Sequence, residues 1–232
     1  MMEIRRLSTL EDFEKAVQAQ KDIWAMQDRD IVPSNLMMAM KDYAQQWGLF
    51  VDGEIAALAL IYPTDKQGVF LFHMLGTVPK YRGAGYAVKP VEKIMERLKN
   101  SGVKKLVWTF DPFDFTNSRI YLNFVKGIGT GAALNYYGII NSGHHGTLPS
   151  HRLLCELDLM KPYTFHAEEK LMKMPATAEQ LRKPGAVNPV AVLDNWFVEL
   201  GDLIREGWVA CGFKASADKK TGALVLKKRK EK

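Results

Sequence analysis

The sequence is poor in the residues that mark metal centres, disulfide frameworks and membrane spans. Its two cysteines, Cys155 and Cys211, stand in apolar surroundings without ligand-type spacing, so they read as packed thiols and not as a bridge or a metal pair. No apolar run approaches the length that crosses a bilayer, and the longest, Ile55 to Tyr62, is strand-sized. No apolar segment follows the charged start, Met1 to Arg6, so no secretory signal is visible and the expected location is cytoplasmic, with no membrane partner. Histidines are scarce too. His144-His145 with His151 resembles a metal cluster, but adjacent rings cannot easily reach one ion and no carboxylate or thiol stands at a fitting step. The expectation is no metal, with these histidines on a loop rim.

What is present suffices for a substantial core. The chain has 232 residues, 47% of them hydrophobic, enough for one large domain or a domain with an appendage. The net charge is +6, and residues 227–232 carry +4 of it. A basic tail of this kind can touch nucleic acid, but a solvated terminus is the expected reading. The mildly positive remainder favours encounter with a polyanionic ligand.

The chain is organised around the stretch from Phe70 to Leu98. An apolar run, Val69 to Leu75, reads as a buried strand and leads into Thr77-Val78-Pro79-Lys80-Tyr81-Arg82-Gly83-Ala84-Gly85-Tyr86-Ala87. Val88, Val91, Ile94, Met95 and Leu98 then recur at three- and four-residue steps, the pattern of an amphipathic helix. A glycine loop at a helix N-terminus suits a phosphate or pyrophosphate, because the first backbone N–H groups lack intrahelical partners and the dipole is positive there. Gly83 and Gly85 allow close main-chain approach and positive φ, and Arg82 offers a planar donor fork. Pro90 predicts a kink or a non-α turn between Tyr86 and Pro90.

Arg82-Gly83-Ala84-Gly85-Tyr86-Ala87 resembles the Arg/Gln-x-x-Gly-x-Gly/Ala signature of the GNAT N-acetyltransferase superfamily, whose loop holds the pyrophosphate of acetyl-coenzyme A. The runs His73-Met74-Leu75-Gly76 and Leu148-Pro149-Ser150-His151-Arg152-Leu153 are similar to a poorly characterised branch of predicted acetyltransferases, in which an Asp is expected at the place of His151. The resemblance implies an α/β (α+β) fold. It has a mixed, mostly antiparallel central sheet with a splayed strand pair, flanked by helices, and here a C-terminal helix and hairpin extension. It implies a cofactor-binding catalytic domain over residues 1–160 and an extension over 161–232. Main-chain groups of Leu75, Gly76 and Thr77 would pair with the pantetheine arm. Arg82, Gly83, Ala84, Gly85, Tyr86 and Ala87 would hold the diphosphate, and Asn117 would contact the cofactor.

The remaining elements follow the same order. Glu3 to Leu7 reads as an edge strand, and Ser8-x-x-Glu11 has capping-box spacing before a helix that buries Leu10, Phe13, Val17 and Trp24. Ser34 to Tyr43 reads as a methionine-rich helix, whose methionines suit either an adaptable pocket wall or ordinary core. Asp52-Gly53 is a hairpin signal, and Lys105 to Phe110 is a further strand closed by Asp111-Pro112. Thr116 is a candidate N-cap for a helix over 117–126. Gly127-Ile128-Gly129-Thr130-Gly131-Ala132 superficially matches a dinucleotide fingerprint but reads as a helix end and a flexible loop. Leu153 to Leu159 alternates as a strand, and residues 161–188 read as an irregular linker. Asn188-Pro189 opens a helix, and Trp208 to Lys214 with Ala223 to Lys227 forms a closing hairpin.

On this reading the chain is an acyltransferase that moves an acetyl group from acetyl-CoA to an amine of a small molecule or an exposed amino group, by direct attack in a ternary complex. The alternative is a non-catalytic acyl-CoA-binding or regulatory module. His73, on the strand leading to the loop, is a candidate general base or a core histidine, and Asp111 is a second candidate base. The resemblance implies a tyrosine acid at the place of Asn123, and Tyr121, Tyr136 and Tyr137 are substitutes by chemistry only. The implied partners are the amine and acetyl-CoA, with no metal. Nucleic acid is limited to the tail, and a homodimer is left open.

Overall fold

The structure, a computed structural model, describes residues 1–86, 88–139, 148–183, 185–218 and 220–230. Two compact units part between Leu106 and Val107, inside a strand. Among the described residues no helix is long and apolar enough to cross a membrane.

The first unit holds β1 (Met2–Arg6), α1 (Leu10–Trp24), α2 (Ser34–Ala39), β2 (Gln45–Val51), β3 (Glu54–Pro63), β4 (Val69–Thr77), α3 (Val88–Asn100) and the start of β5 (Lys105–Phe110). β1 to β4 lie in sequence order, each antiparallel to the next. Asp52 and Gly53 turn β2 into β3 with φ of 50° and 84°, conformations that their residue types tolerate. One sheet face is closed by α1 and α2 through Phe13, Ala16, Ile23, Met37, Leu58, Leu60 and Met74. The other buries Leu49, Ala56 and Ala57 beneath Ile4, Tyr81 and Tyr86. Met37 is fully buried, so core packing accounts for that methionine.

The cap of α1 differs from the sequence expectation. Thr9 and Asp12, not Ser8 and Glu11, form the capping box. Asp12 is the better member because it is buried and also receives both Arg5 terminal nitrogens, at 2.7 and 2.8 Å, and the Ser8 N–H at 3.0 Å. Leu10 is exposed, and the buried stripe runs through Phe13, Ala16, Gln20 and Ile23. The Arg5 hydrogen bonds, helped by the Ser8 and Thr9 amides, hold the Asp12 carboxyl well below the usual carboxylate range against its burial. A depressed carboxylate stabilises the fold at neutral pH and loses that contribution as pH falls below about 3.9 toward the folded value. Asp12→Ala is expected to cost about 2–3 kcal/mol at pH 7. In urea titrations its deficit against the wild type should shrink on acidification below pH ~4.

The second unit holds the rest of β5, α4 (Phe115–Ser118), a π-helical stretch (Arg119–Phe124), β6 (Ile128–Ala133), β7 (Arg152–Asp158), β8 (Phe165–Met174), α5 (Ala178–Arg182), α6 (Pro189–Arg205), β9 (Trp208–Ala215) and β10 (Gly222–Arg229). Its strand order is β5-β7-β6-β9-β10-β8, and the pairs β7/β6, β6/β9, β9/β10 and β10/β8 are antiparallel.

Four expectations are corrected here. The helix after β5 starts at Phe115, not Asn117, and its cap is Asp114, not Thr116; the Asp114 carboxylate accepts the Thr116 and Asn117 N–H groups at 2.9 and 3.1 Å. Residues 128–133, read as a flexible loop, are β6. Its glycines make room for neighbours, since a Cβ on Gly129 would stand 2.7 Å from Leu153 and one on Gly131 3.0 Å from Leu154; just before the strand, a Cβ on Gly127 would stand 2.1 Å from Trp108. The linker at 161–188 contains β8 and α5, with a Thr177–Gln180 capping box. Finally, the first residues of the basic tail belong to a strand. Lys227 to Arg229 end β10, with Lys227 3.5 Å from Glu169 and Arg229 3.4 Å from Glu156.

Candidate functional site

In the first unit the end of β4 runs through a tight 3-10 turn, Pro79–Tyr81, and a glycine loop into α3. The Val78 N–H bonds the Ala56 carbonyl at 2.9 Å, which pins the strand end before the turn. Gly83 and Gly85 have φ of 87° and 71°, and nothing lies within 4 Å of where a Cβ on either would stand. Both are therefore needed for conformation, and both border open space. Val88 N–H reaches the Gly85 carbonyl at 3.2 Å, a three-residue step, and α3 begins only at Val88. Pro90 thus falls in the first turn, where its missing N–H costs nothing.

The first turn of α3 carries no acidic residue, while Lys80, Arg82 and Lys89 lie on or beside the loop. Arg82 does two jobs. Its Nε donates to the Thr77 carbonyl at 3.3 Å and its Nη2 to the Ile23 carbonyl at 3.1 Å, tying the loop to the ends of β4 and α1. Nη1 stays available for an anion. Ala84 is exposed, and Tyr86 packs tilted against Tyr81 with centroids 6.2 Å apart. Ala87 lies outside the described residues. Thr77 is buried, while Leu75 and Gly76 are half-buried, all three paired with β3. The close approach at Gly76 is made by α1: a Cβ there would stand 2.5 Å from Ile23 and 2.7 Å from Trp24.

His73 is the extra residue of a β-bulge, between the pairs Leu60–Met74 and Ile61–Phe72. His73 alternates with buried Phe72 and Met74, and its side chain is exposed. Its imidazole meets the Tyr62 ring edge-on at 5.7 Å, and desolvation by the protein packed against its inner side lowers its pKa although the side chain is partly open to solvent. The Tyr62 hydroxyl is buried without a hydrogen-bond partner, and burial pushes its pKa up to about 12.

In the second unit the other candidates are structurally engaged. Asp111 accepts the Phe113 N–H at 2.9 Å and stands 3.6 Å from Arg182. Burial pushes its carboxyl up, opposed by Arg152, that N–H and Arg182. Asp111, Phe113, His151, Arg182 and Leu193 border a recess of about 10 Å³, room for about one water. Tyr121 is buried between Trp108 and Phe110, centroids 5.6 and 5.1 Å away, and burial drives its phenol pKa well upward. The Asn117 side chain bonds Asp114 at 3.2 Å. Asn123, at the expected place of an acid, clamps β9 instead: its amide donates to the Phe213 carbonyl and accepts the Phe213 N–H, both at 2.8 Å.

His151 has a part that its sequence context does not announce. Nδ1 accepts the Asn135 N–H at 2.8 Å, which leaves the proton on Nε2, and Nε2 donates to Asp194 at 2.7 Å. The signal available was a run of three polar residues, Ser150 to Arg152, opening an apolar strand; all three are buried. His144 and His145 lie outside the described residues, and among the described residues no group of three or more His, Cys, Asp or Glu side chains could hold a metal.

Comparison with known proteins points the same way as the loop. The sequence model described as the acetyltransferase (GNAT) family matches residues 5–123, just over half of the chain. Among solved structures, the chain is similar to the ribosomal-protein-S18-alanine N-acetyltransferase from Escherichia coli, at 15% identity and a TM-score of 0.57 over 69% of this chain and 96% of that one. It is also similar to an acetyltransferase of the GNAT family from Streptococcus pneumoniae, at 15% identity and a TM-score of 0.56 over 68% and 99%. An N-acetyltransferase from Staphylococcus aureus aligns at 16% identity and a TM-score of 0.53 over the same shares. At such identities these likenesses speak for the fold. A search of curated proteins finds no match.

Proposed function

This chain belongs to the acetyltransferase (GNAT) family, and from that premise we propose that it transfers an acetyl group from acetyl-CoA to an amine of a small molecule or an exposed amino group. The carrying observation is the loop at the start of α3, where two positive-φ glycines border open space and the first turn holds no acid. A diphosphate fits there: the main chain can approach closely, the helix start is electropositive, and Arg82 Nη1 can add a charge-assisted bond.

When bound, the thioester supplies the activated acetyl group. The chain's own residues then have two tasks. One is to remove a proton from an amine that is mostly ammonium at neutral pH, its free pKa being about 10.4. His73, exposed on its bulge and favoured neutral, can accept that proton directly or through a water. The other is to hold the amine and the thioester together in a reactive orientation. Asn123 is occupied by Phe213, so no acid is assigned at that place. A thiol with a pKa near 8.5 leaves as thiolate without one.

Thiol release across an amine panel tests the proposal. His73→Ala is expected to lower kcat about 100-fold. The wild-type rate should fall on acidification, as the base gains its proton, with a midpoint below the ordinary histidine value of 6.5. That limb should vanish in the variant. An unchanged rate would remove His73 from the mechanism. The clamped Asn123 supports a second reading, an acyl-CoA-binding module without turnover, which predicts saturable binding and no thiol release with any amine.

A further inference from the structure

The turn after β6 is fastened by a histidine that can hold it in one protonation state only. His151 is 4% exposed, and both of its ring nitrogens are engaged. The Asn135 main-chain N–H can only donate, so Nδ1, 2.8 Å away, is the acceptor. Nε2 then carries the proton and donates it to Asp194 of α6 at 2.7 Å. Ser150 completes the fastening. Its Oγ accepts the Tyr137 N–H at 2.8 Å, its carbonyl accepts the Tyr136 N–H at 3.0 Å, and its N–H reaches the Asn135 Oδ1 at 3.3 Å.

A second proton on the ring must go to Nδ1, which turns the acceptor into a donor and sets two N–H groups against each other. One side then has to move. The ring is the better held, because its bond to Asp194 becomes charge-assisted in the imidazolium and it packs edge-on against Phe197 with centroids 4.9 Å apart. Asn135 is the worse held. Its φ of 45° is uncommon for a residue with a side chain and is free to relax once the bond is gone. The charges that face the ring come from every element around it. Asp194 on α6 and, across the small recess, Asp111 after β5 favour the cation; Arg182 on α5 and Arg152, which donates to the His151 carbonyl at 2.9 Å, oppose it. The segment itself brings the Tyr137 phenol. Two carboxylates against two guanidiniums leave the local contest between a proton and the Asn135 N–H for Nδ1.

We propose that His151 is a proton-operated latch: its neutral imidazole fastens residues 135–137, and protonation of Nδ1 releases them while Asp194 keeps the ring in place. The sign follows from linkage. The fastened state excludes the proton and the released state takes it up, so acid favours release. The latch lies within the second unit and does not depend on the acyl-transfer reading.

The test follows the isotopically labelled full chain by NMR at about pH 7.5 and about pH 5. Hydrogen-exchange protection of the Asn135, Tyr136 and Tyr137 amides, corrected for the pH dependence of exchange itself, is expected to fall by on the order of tenfold on acidification. The His151 ring signals should titrate with the same midpoint as the Asn135 amide. His151→Gln offers an oxygen that accepts the Asn135 N–H and takes up no proton, so its protection should be equal at both pH values. Wild-type protection that stays constant, a loss shared by the amides of the sheet core, or an equal loss in His151→Gln would overturn the latch. If the variant does not fold, the wild-type titration decides: coincident midpoints for ring and amide support the latch, and separate midpoints overturn it.

Discussion

Gly85→Val is expected to weaken coenzyme A binding by on the order of a hundredfold while the protein stays folded. Gly85 sits at φ 71°, where a residue with a Cβ is strained by roughly 1–2 kcal/mol. Nothing lies within 4 Å of the new Cβ, so no core clash adds to that. The melting temperature should fall by only about 2–8 °C. The larger effect falls on the ligand. The branch would fill the open space at the start of α3 and keep a diphosphate from the backbone N–H groups, and a loss of about 2.8 kcal/mol is a hundredfold. Gly85→Ala should weaken binding less. If calorimetry found either variant binding as tightly as the wild type, the diphosphate would have to sit elsewhere.

The second large effect is on stability. Asn123→Leu removes both bonds to Phe213 and strands a peptide N–H and a carbonyl on β9. Both bonds are part-buried and Asn123 itself is exposed, so each lost bond costs about 0.5–1.5 kcal/mol and the pair about 1–3 kcal/mol. For a chain of this length that lowers the melting temperature by about 2–12 °C. The side chain meets β9 beside the irregular pairing at Cys211, where β10 pairs Val225 with Gly212 and Leu226 with Ala210. A thermal melt checks it. A variant as stable as the wild type would mean that the clamp is dispensable, and would restore Asn123 as a candidate for chemistry.

The contrast between these two residues shows where sequence reasoning reaches. Gly85 was legible because its meaning is local: an apolar strand, two glycines and an amphipathic helix follow one another within 30 residues. The Asp52-Gly53 turn and the α6–β9–β10 segment were legible on the same ground. Asn123 was not, since its partner lies 90 residues onward and an amide gives no sign of which peptide it will bind. β6 was missed because its glycines are explained by Leu153 and Leu154, which lie more than 20 residues onward. β8 was missed because an edge strand carries charge: Glu168, Glu169 and Lys170 hide the alternation that only Met172 and Met174 complete. His73 was placed on the right strand, and its exposure follows the alternation of Leu71 to Met74; the bulge at this position was not legible, because a bulge is a property of two strands in register.

The proposed activity depends on the loop at the start of α3 taking up the diphosphate of coenzyme A. Isothermal titration of the full chain with coenzyme A measures this most directly. One saturable site per chain, weakened in 0.5 M salt and about a hundredfold in Gly85→Val, is the predicted result. No saturable heat for the wild type at any salt concentration, with the protein shown to be folded, would contradict it.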